Sequence, residues 1–297
     1  MKNFVLIGAA GYIAPMHMKA IKETGNNLIA ALDKHDSVGV LDSYFPDAYF
    51  FTEFERFDRH LEKLKREGMA IDFLVVCTPN YLHDAHLRYG LKLGADVICE
   101  KPIVLNPWNV DALTLIEKET NRKAFSILQL RLHPAIQELK KKVDAGSKNE
   151  KYKVDLQYIT SRGNWYHNSW KGDIEKSGGI ATNIGIHFFD MLLWVFGSVE
   201  DSIVTQHNQS TATGILTLDN AHINWTLSID EQNLPENLRF AGKKTMRLLK
   251  VDDASIDFSE GFDDLHTLSY QEILNGSGFG LLESRAAIEL VHLIRKS

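Results

Sequence analysis

Residues 4–17 read FVLIGAAGYIAPMH. FVLIG (4–8) reads as a strand, and a helical pattern follows from about Ala14 to Thr24. The glycine spacing is Gly8-x-x-Gly11-x-x-Ala14, one residue longer in its first gap than the usual dinucleotide fingerprint. The physics is shared. Gly8 permits a sharp turn, Gly11 lets the backbone approach a pyrophosphate, and Ala14 keeps the helix close to the strand. The helix N-terminus then faces the phosphates. LIAALD (28–33) reads as a second strand whose last residue, Asp33, can hold ribose hydroxyls. The competing reading is a glycine-rich turn in an α/β domain that binds no nucleotide.

Working outward, strands and helices alternate. EFERFDRHLEKLKREG is amphipathic, with Phe54, Phe57, Leu61 and Leu64 on one face. IDFLVVCTP (71–79), ADVICEKP (95–102) and AFSILQL (124–130) read as strands, and HDAHLRYGLKLG and residues 107–120 as helices. This alternation indicates a parallel, Rossmann-type sheet in an α/β protein. The pattern then changes. KVDLQYITSRG (153–163) alternates like a half-buried strand, and one apolar helix is expected from about Gly179 to Phe196. Four strand-like runs follow with hardly a helix between them, and a helix ends the chain. A large, mostly antiparallel open sheet is the expectation for this α+β part. The expected domains are 1–122, which binds dinucleotide, and 123–297, which binds substrate and oligomerises.

The 297 residues carry a formal net charge of -6, so no global basic field favours nucleic acid or an anionic membrane. No apolar run approaches the ~20 residues of a membrane span, and a cytoplasmic protein is expected. Cys77 and Cys99 are the only cysteines and lie far apart in sequence, which argues against a disulfide framework. His83-x-x-His86 is the one metal-like pair, and no metal is expected.

Chemistry enters at the strand ends. Cys77-Thr78-Pro79-Asn80 and Glu100-Lys101-Pro102 both follow apolar runs. In an open parallel sheet such ends line the ligand crevice. A lysine beside a positively charged nicotinamide has a lowered pKa, and a histidine titrates near neutrality. Either Lys101 or His187 can serve as base for alcohol oxidation while the other holds the alkoxide. The bland alternatives are a surface lysine closing a strand and a core histidine bonded to backbone. Asn183, His187 and Asp190 recur at i, i+4 and i+7, a polar stripe on an otherwise apolar helix. Arg131 and Arg162 stand at strand ends, and Trp165, Tyr166 and Trp170 cluster with Lys171. Arginine forks suit phosphate or carboxylate, and aromatic faces suit a base; surface arginines and an interface patch are the other reading.

Thr78-Pro79-x-x-x-His83, Glu100-Lys101-Pro102 and the segment SGGIATNIGIHFFD (177–190) together resemble the glucose–fructose oxidoreductase/inositol dehydrogenase/MocA (Gfo/Idh/MocA) family over nearly the whole chain. The resemblance implies NAD as cofactor, held by Gly8, Gly11, Tyr12, Ile13, Asp33, Thr78, Pro79, Asn80, His83, Glu100, Lys101 and Gln129. It implies that Lys101 and His187 are catalytic, and that Lys101, Arg131, Arg162, Trp165, Tyr166, Asn183 and His187 meet substrate. The family often has Asp at the position of Asn183, and a neutral amide cannot raise a histidine's basicity as a carboxylate would. RGNWY (162–166), SWKGD (169–173) and GFGLLESR (278–285) are similar to members that oxidise the 3-hydroxyl of UDP-N-acetyl-glucosaminuronate in bacterial surface-polysaccharide synthesis. From these the resemblance implies a homotetramer, and 2-oxoglutarate as an oxidant of bound NADH. A dehydrogenase of another sugar or inositol, and a non-catalytic NAD sensor, are the alternatives.

Overall fold

The structure is a computed structural model that describes residues 1–146, 150–256, 261–262 and 264–297. Its contacts divide the chain into two units, one of Met1–Val104, Trp108–Ile127 and Asp263–Ser284, the other of Leu105–Pro107, Leu128–Phe262 and Arg285–Ser297.

The first unit holds strands β1 (Asn3–Ile7), β2 (Asn27–Leu32), β3 (Tyr49–Phe51), β4 (Phe73–Val76), β5 (Asp96–Cys99) and β6 (Ala124–Ser126). They form one parallel sheet in the order β3-β2-β1-β4-β5-β6. The order reverses at β1, which pairs β2 on one side and β4 on the other, as in doubly wound folds. Phe4, Leu6, Phe73 and Val75 project from this sheet onto Met18 and Ile21 of the helix Ala14–Glu23. The short edge strand β3 is not anticipated by the sequence reading. β6 stops at Ser126, whereas the expected strand runs to residue 130. Its only named partner, β5, has ended at Cys99, and Gln129–Leu132 winds into a 3₁₀ turn before a helix over Pro134–Ala145.

A further difference concerns the helix Leu265–Leu274, which the sequence reading does not contain and whose residues it assigns to a domain of 123–297. Tyr270 of this helix stacks on Phe4 with ring centroids 5.9 Å apart, and Ile273 joins the same core. The domain division is therefore interleaved rather than consecutive. Its buried residues include His266, Thr267 and Ser269, so the apolar period that marks most helices is diluted.

The second unit holds β7 (Tyr152–Thr160), β8 (Val199–His207), β9 (Thr211–Leu218), β10 (Ala221–Ser228), β11 (Thr245–Val251) and β12 (Ala254–Ile256), ordered β12-β11-β7-β10-β9-β8. Only β7 and β10 pair in parallel; the other named pairs are antiparallel, as expected. Phe189 meets Trp225 edge-on at 5.2 Å and Phe188 meets Tyr158 at 4.7 Å, which seats the helix Ile186–Phe196 on this sheet. The expected single helix over 179–196 is broken. Gly179–Asn183 and Ile186–Phe196 are separate, with a 45° bend at the break. At the break, Gly185 packs so closely that a Cβ would meet Leu227 and stand 2.6 Å from the Ala181 carbonyl oxygen. Among the described residues no single helix is long and apolar enough to cross a membrane.

Candidate active site

In the first unit the site begins at the glycine turn. Gly8 has φ +96°, and a Cβ there would stand 2.7 Å from the Cys77 carbonyl, so only glycine lets the turn pass the end of β4. At Gly11 a Cβ would approach the Gly8 and Cys77 carbonyl oxygens to 3.0 and 3.3 Å. The second glycine is thus required by the packing of the turn as well as by any ligand. Asp33 follows β2, and its carboxylate accepts from Ala10 N–H at 3.0 Å and from His35 N–H at 2.9 Å. It thereby ties the glycine loop to the end of β2, at the place where a ribose-binding carboxylate belongs. Tyr12 is 98% exposed, while Ile13 packs against the core.

The ends of β4 and β5 are joined by His83. Its ring is buried, with Nδ1 2.7 Å from the Pro102 carbonyl oxygen and Nε2 2.8 Å from that of Thr78. Burial lowers its basicity more than these two carbonyls raise it. His83 therefore clamps two strand-end segments together. Thr78 Oγ1 lies 3.0 Å from His86 Nδ1, and burial pushes the His86 pKa down to about 4. Asn80 is buried at the start of a 3₁₀ turn directly after Pro79.

Glu100 directly follows β5. Its carboxylate is buried, with Oε1 2.9 Å from His17 Nε2 and 3.1 Å from His266 Nε2. Burial alone would raise its pKa, but the hydrogen bonds from His17 and His266 outweigh that and hold it well below the usual carboxylate range. The side chain faces the core of its own unit. Lys101 follows it and is half-buried.

In the second unit, Asn183 Nδ2 donates to the Tyr166 hydroxyl at 2.7 Å. Burial raises the Tyr166 pKa, opposed by Asn183 and the Arg162 charge. Lys171 Nζ stands 5.0 Å from the Trp170 ring centroid and 6.0 Å from that of Trp165, and it too feels Arg162. Burial, then Arg162, lowers the Lys171 pKa. Arg162, Trp165, Tyr166, Lys171 and Asn183 are thus one neighbourhood, as the aromatic loop suggests. His187 lies in the first turn of the Ile186–Phe196 helix, beyond the bend from Asn183, so the three polar residues do not share one straight helix face.

Arg131 sits in a buried ion pair. It is 7% exposed, and its guanidinium makes a two-point contact with Asp190, Nε–Oδ2 at 2.9 Å and Nη2–Oδ1 at 2.6 Å. This pair anchors Arg131 inside the fold of its own unit. Gln129, in the same 3₁₀ turn, keeps a buried Oε1 without a hydrogen-bond partner.

The sequence reading misses His17, His266 and Tyr270. His17 and Tyr270 are 253 positions apart and His266 and Glu100 are 166 apart, so no local pattern links them.

Residues 2–127 match the oxidoreductase family, NAD-binding Rossmann fold, and residues 140–234 match the C-terminal alpha/beta domain of the same family. Inositol 2-dehydrogenase of Rhizobium meliloti (strain 1021) is 31% identical over 223 residues, 74% of this chain and 60% of that protein. The chain thus spans little more than half the length of that curated relative. The WlbA (WbpB) dehydrogenase of Thermus thermophilus, crystallised with NAD and alpha-ketoglutarate, is 47% identical with a TM-score of 0.96, covering 99% of this chain and 95% of that one. The same protein with NAD and UDP-GlcNAcA superposes with a TM-score of 0.95 at 46% identity, over the same shares of both chains. The glycine turn against β4, the acidic residue after β2, the Glu-Lys-Pro segment after β5 and both family matches carry one conclusion: the chain belongs to the Gfo/Idh/MocA oxidoreductase family.

Proposed function

We propose that this protein is a cytoplasmic NAD-dependent dehydrogenase that oxidises the 3-hydroxyl of UDP-N-acetyl-glucosaminuronate to the ketone, in the synthesis of a bacterial surface polysaccharide such as O-antigen. The observation that carries the substrate reading is the cluster of Arg162, Lys171, Trp165 and Tyr166 beside Asn183, two cations with aromatic faces on one loop. A UDP-uronate offers a diphosphate, a carboxylate and a base, which such a cluster matches. The likeness at 46–47% identity to a dehydrogenase crystallised with NAD and UDP-GlcNAcA points the same way.

The cofactor fits the residues present. The turn at Gly8 and Gly11, Asp33, Thr78, Pro79, Asn80 and the orphaned Gln129 Oε1 would hold NAD, with Tyr12 and Ile13 beside the turn. When bound, NAD accepts the hydride from the sugar carbon. Of Lys101 and His187, one takes the hydroxyl proton and the other holds the developing alkoxide. Asn183, which donates to the Tyr166 hydroxyl, is the residue assigned to the sugar. Reoxidation of NADH by 2-oxoglutarate, and a homotetramer built through the open sheet of β7–β12, complete the reading; the exposed Val199, Ile203 and Ile215 on β8 and β9 support the latter.

The test is to incubate the purified protein with UDP-N-acetyl-glucosaminuronate and NAD, following nicotinamide absorbance and product mass. Myo-inositol and glucose are the controls, because the Rhizobium relative is an inositol dehydrogenase. Efficient turnover of a free polyol without turnover of the UDP-uronate overturns the assignment. Asp33 would repel a ribose 2′-phosphate, so calorimetry should show NAD binding more tightly than NADP.

A further inference from the structure

The Glu100 carboxylate is a costly thing to bury. Removing an ionised group from water costs several kcal/mol even after relaxation, and well-packed apolar side chains often serve stability as well or better. Yet two histidines converge on it from two helices that are remote in sequence, and a tyrosine braces one of them. His17 comes from Ala14–Glu23, the helix that the glycine turn opens, while His266 and Tyr270 come from Leu265–Leu274.

The proton positions follow from the partners. A carboxylate oxygen only accepts, so both Nε2 atoms donate to Glu100 Oε1, at 2.9 and 3.1 Å. His17 then carries its proton on Nε2, and its Nδ1 accepts from the Tyr270 hydroxyl at 2.8 Å. The other carboxylate oxygen, Oε2, accepts from the Lys101 backbone N–H at 3.3 Å. The chain of contacts therefore ends at the peptide that carries the proposed catalytic lysine. Among the described residues, His83, Cys77 and Cys99 also sense this carboxylate. Burial favours the neutral forms of His17, His83, Cys77, Cys99 and Tyr270, whereas Glu100 is driven to its ionised form.

We infer that His17, His266 and Tyr270 form a positioning relay that fixes the Glu100 carboxylate and, through the Lys101 backbone N–H, the place from which Lys101 acts. This rests on the reading of Lys101 as a proton-transfer residue. His17, His266, Tyr270 and Glu100 are positioning residues, because their named partners are one another and the Lys101 backbone. The arrangement also joins the helix that carries His17 to the lysine segment.

The test compares His17→Leu and His266→Leu with His17→Gln and His266→Gln. A glutamine amide can place an N–H near the position of Nε2, whereas leucine keeps bulk and removes the donor. The leucine variants should lose about 10–100-fold in kcat, the usual cost of a lost supporting partner, with KM for the sugar nucleotide and the NAD dissociation constant unchanged. The glutamine variants should recover most of that loss. Folded leucine variants with wild-type kcat overturn the relay, and so do glutamine variants as slow as the leucine ones. The three ligating atoms of His17, Glu100 and His266 lie within 4.8 Å of one another. One equivalent of zinc retained by the wild-type protein through dialysis and lost in His266→Leu would make this a metal site and overturn the relay too.

A second measurement needs no turnover. Amine labelling of Lys101 against pH, read by mass spectrometry, should show a lower midpoint in Glu100→Gln than in wild type, because a nearby anion favours the ammonium. An unshifted midpoint overturns the relay. If the wild type oxidises no UDP-uronate, the functional reading fails, while the labelling result still decides the relay.

Discussion

Arg131 and Arg162 look alike in the sequence, each at the end of a strand-like run, and the structure gives them opposite surroundings. Arg131 is buried against Asp190, and Arg162 is exposed near Tyr166 and Lys171. Breaking a buried pair strands the partner's charge at a cost of about 3–5 kcal/mol. Arg131→Ala should therefore lower urea-unfolding stability strongly, and the double change Arg131→Met with Asp190→Leu should be more stable than either single one. Arg162→Ala should leave the unfolding midpoint in place and raise KM for the UDP-uronate, by roughly 10–150-fold if a charged hydrogen bond of about 1.5–3 kcal/mol is lost. A raised KM with normal stability in Arg131→Ala would show that it acts at the substrate and not through the buried pair. At Lys101 and His187 the expected effect is on rate. Lys101→Met and His187→Asn should each lower turnover by about 10²–10⁴-fold, the range for a positioned acid or base, while calorimetry shows NAD still bound. Near-normal turnover in a folded variant removes that residue from the proton path.

At the scale of elements, the parallel sheet was legible because its strands are continuous apolar runs ended by glycine, proline or charge, as at Ile7-Gly8 and Cys99-Glu100. β3 and β12 were not, since three residues carry too little pattern. The helix Leu265–Leu274 was hidden because its buried face carries His266, Thr267 and Ser269 instead of an apolar stripe. The close packing of Gly185 against Leu227 of β10 at the break is likewise a tertiary contact, which no helical pattern reveals. The same logic explains the site. Lys101, His187 and the glycine turn are read from short motifs, whereas the Arg131–Asp190 pair and the His17–Glu100–His266 contacts exist only after folding. Gly8 is where element geometry and ligand binding meet. Gly8→Ala adds a methyl 2.7 Å from the Cys77 carbonyl at a φ of +96°. Strain at such a backbone position alone costs about 1–3 kcal/mol. The variant should melt at lower temperature and bind NAD weakly or not at all by calorimetry. A Gly8→Ala protein with wild-type melting and NAD affinity would mean that the turn does not pass β4 as closely as described.

For the whole molecule, buried histidines and Glu100 set one pH dependence, opposed by carboxylates such as Asp190 whose pKa burial raises. His17, His83 and His86 are held below the ordinary histidine pKa, chiefly by burial, and His86 falls to about 4. Below pH 6.5 the unfolded chain takes up protons that the folded chain refuses, so the unfolded state gains and stability falls as pH drops. For His86 this window runs from 6.5 to about 4, and at about 1.4 kcal/mol per pH unit it amounts to roughly 3 kcal/mol. Glu100 acts in the same direction at lower pH. Its folded pKa is depressed, so the stability it supplies is present above the ordinary glutamate range and is lost as pH falls through its folded value. The urea-unfolding midpoint should therefore decline continuously from pH 7 to pH 4, without a maximum near the sequence pI of 6.1. His86→Asn isolates one contribution. An asparagine amide can replace Nδ1 as partner of Thr78 Oγ1 and cannot take up a proton, so the variant should show a shallower decline between pH 6.5 and pH 4 with little change at pH 8. A wild-type midpoint that is flat or rises on acidification across that window would show that these histidines are charged in the folded protein.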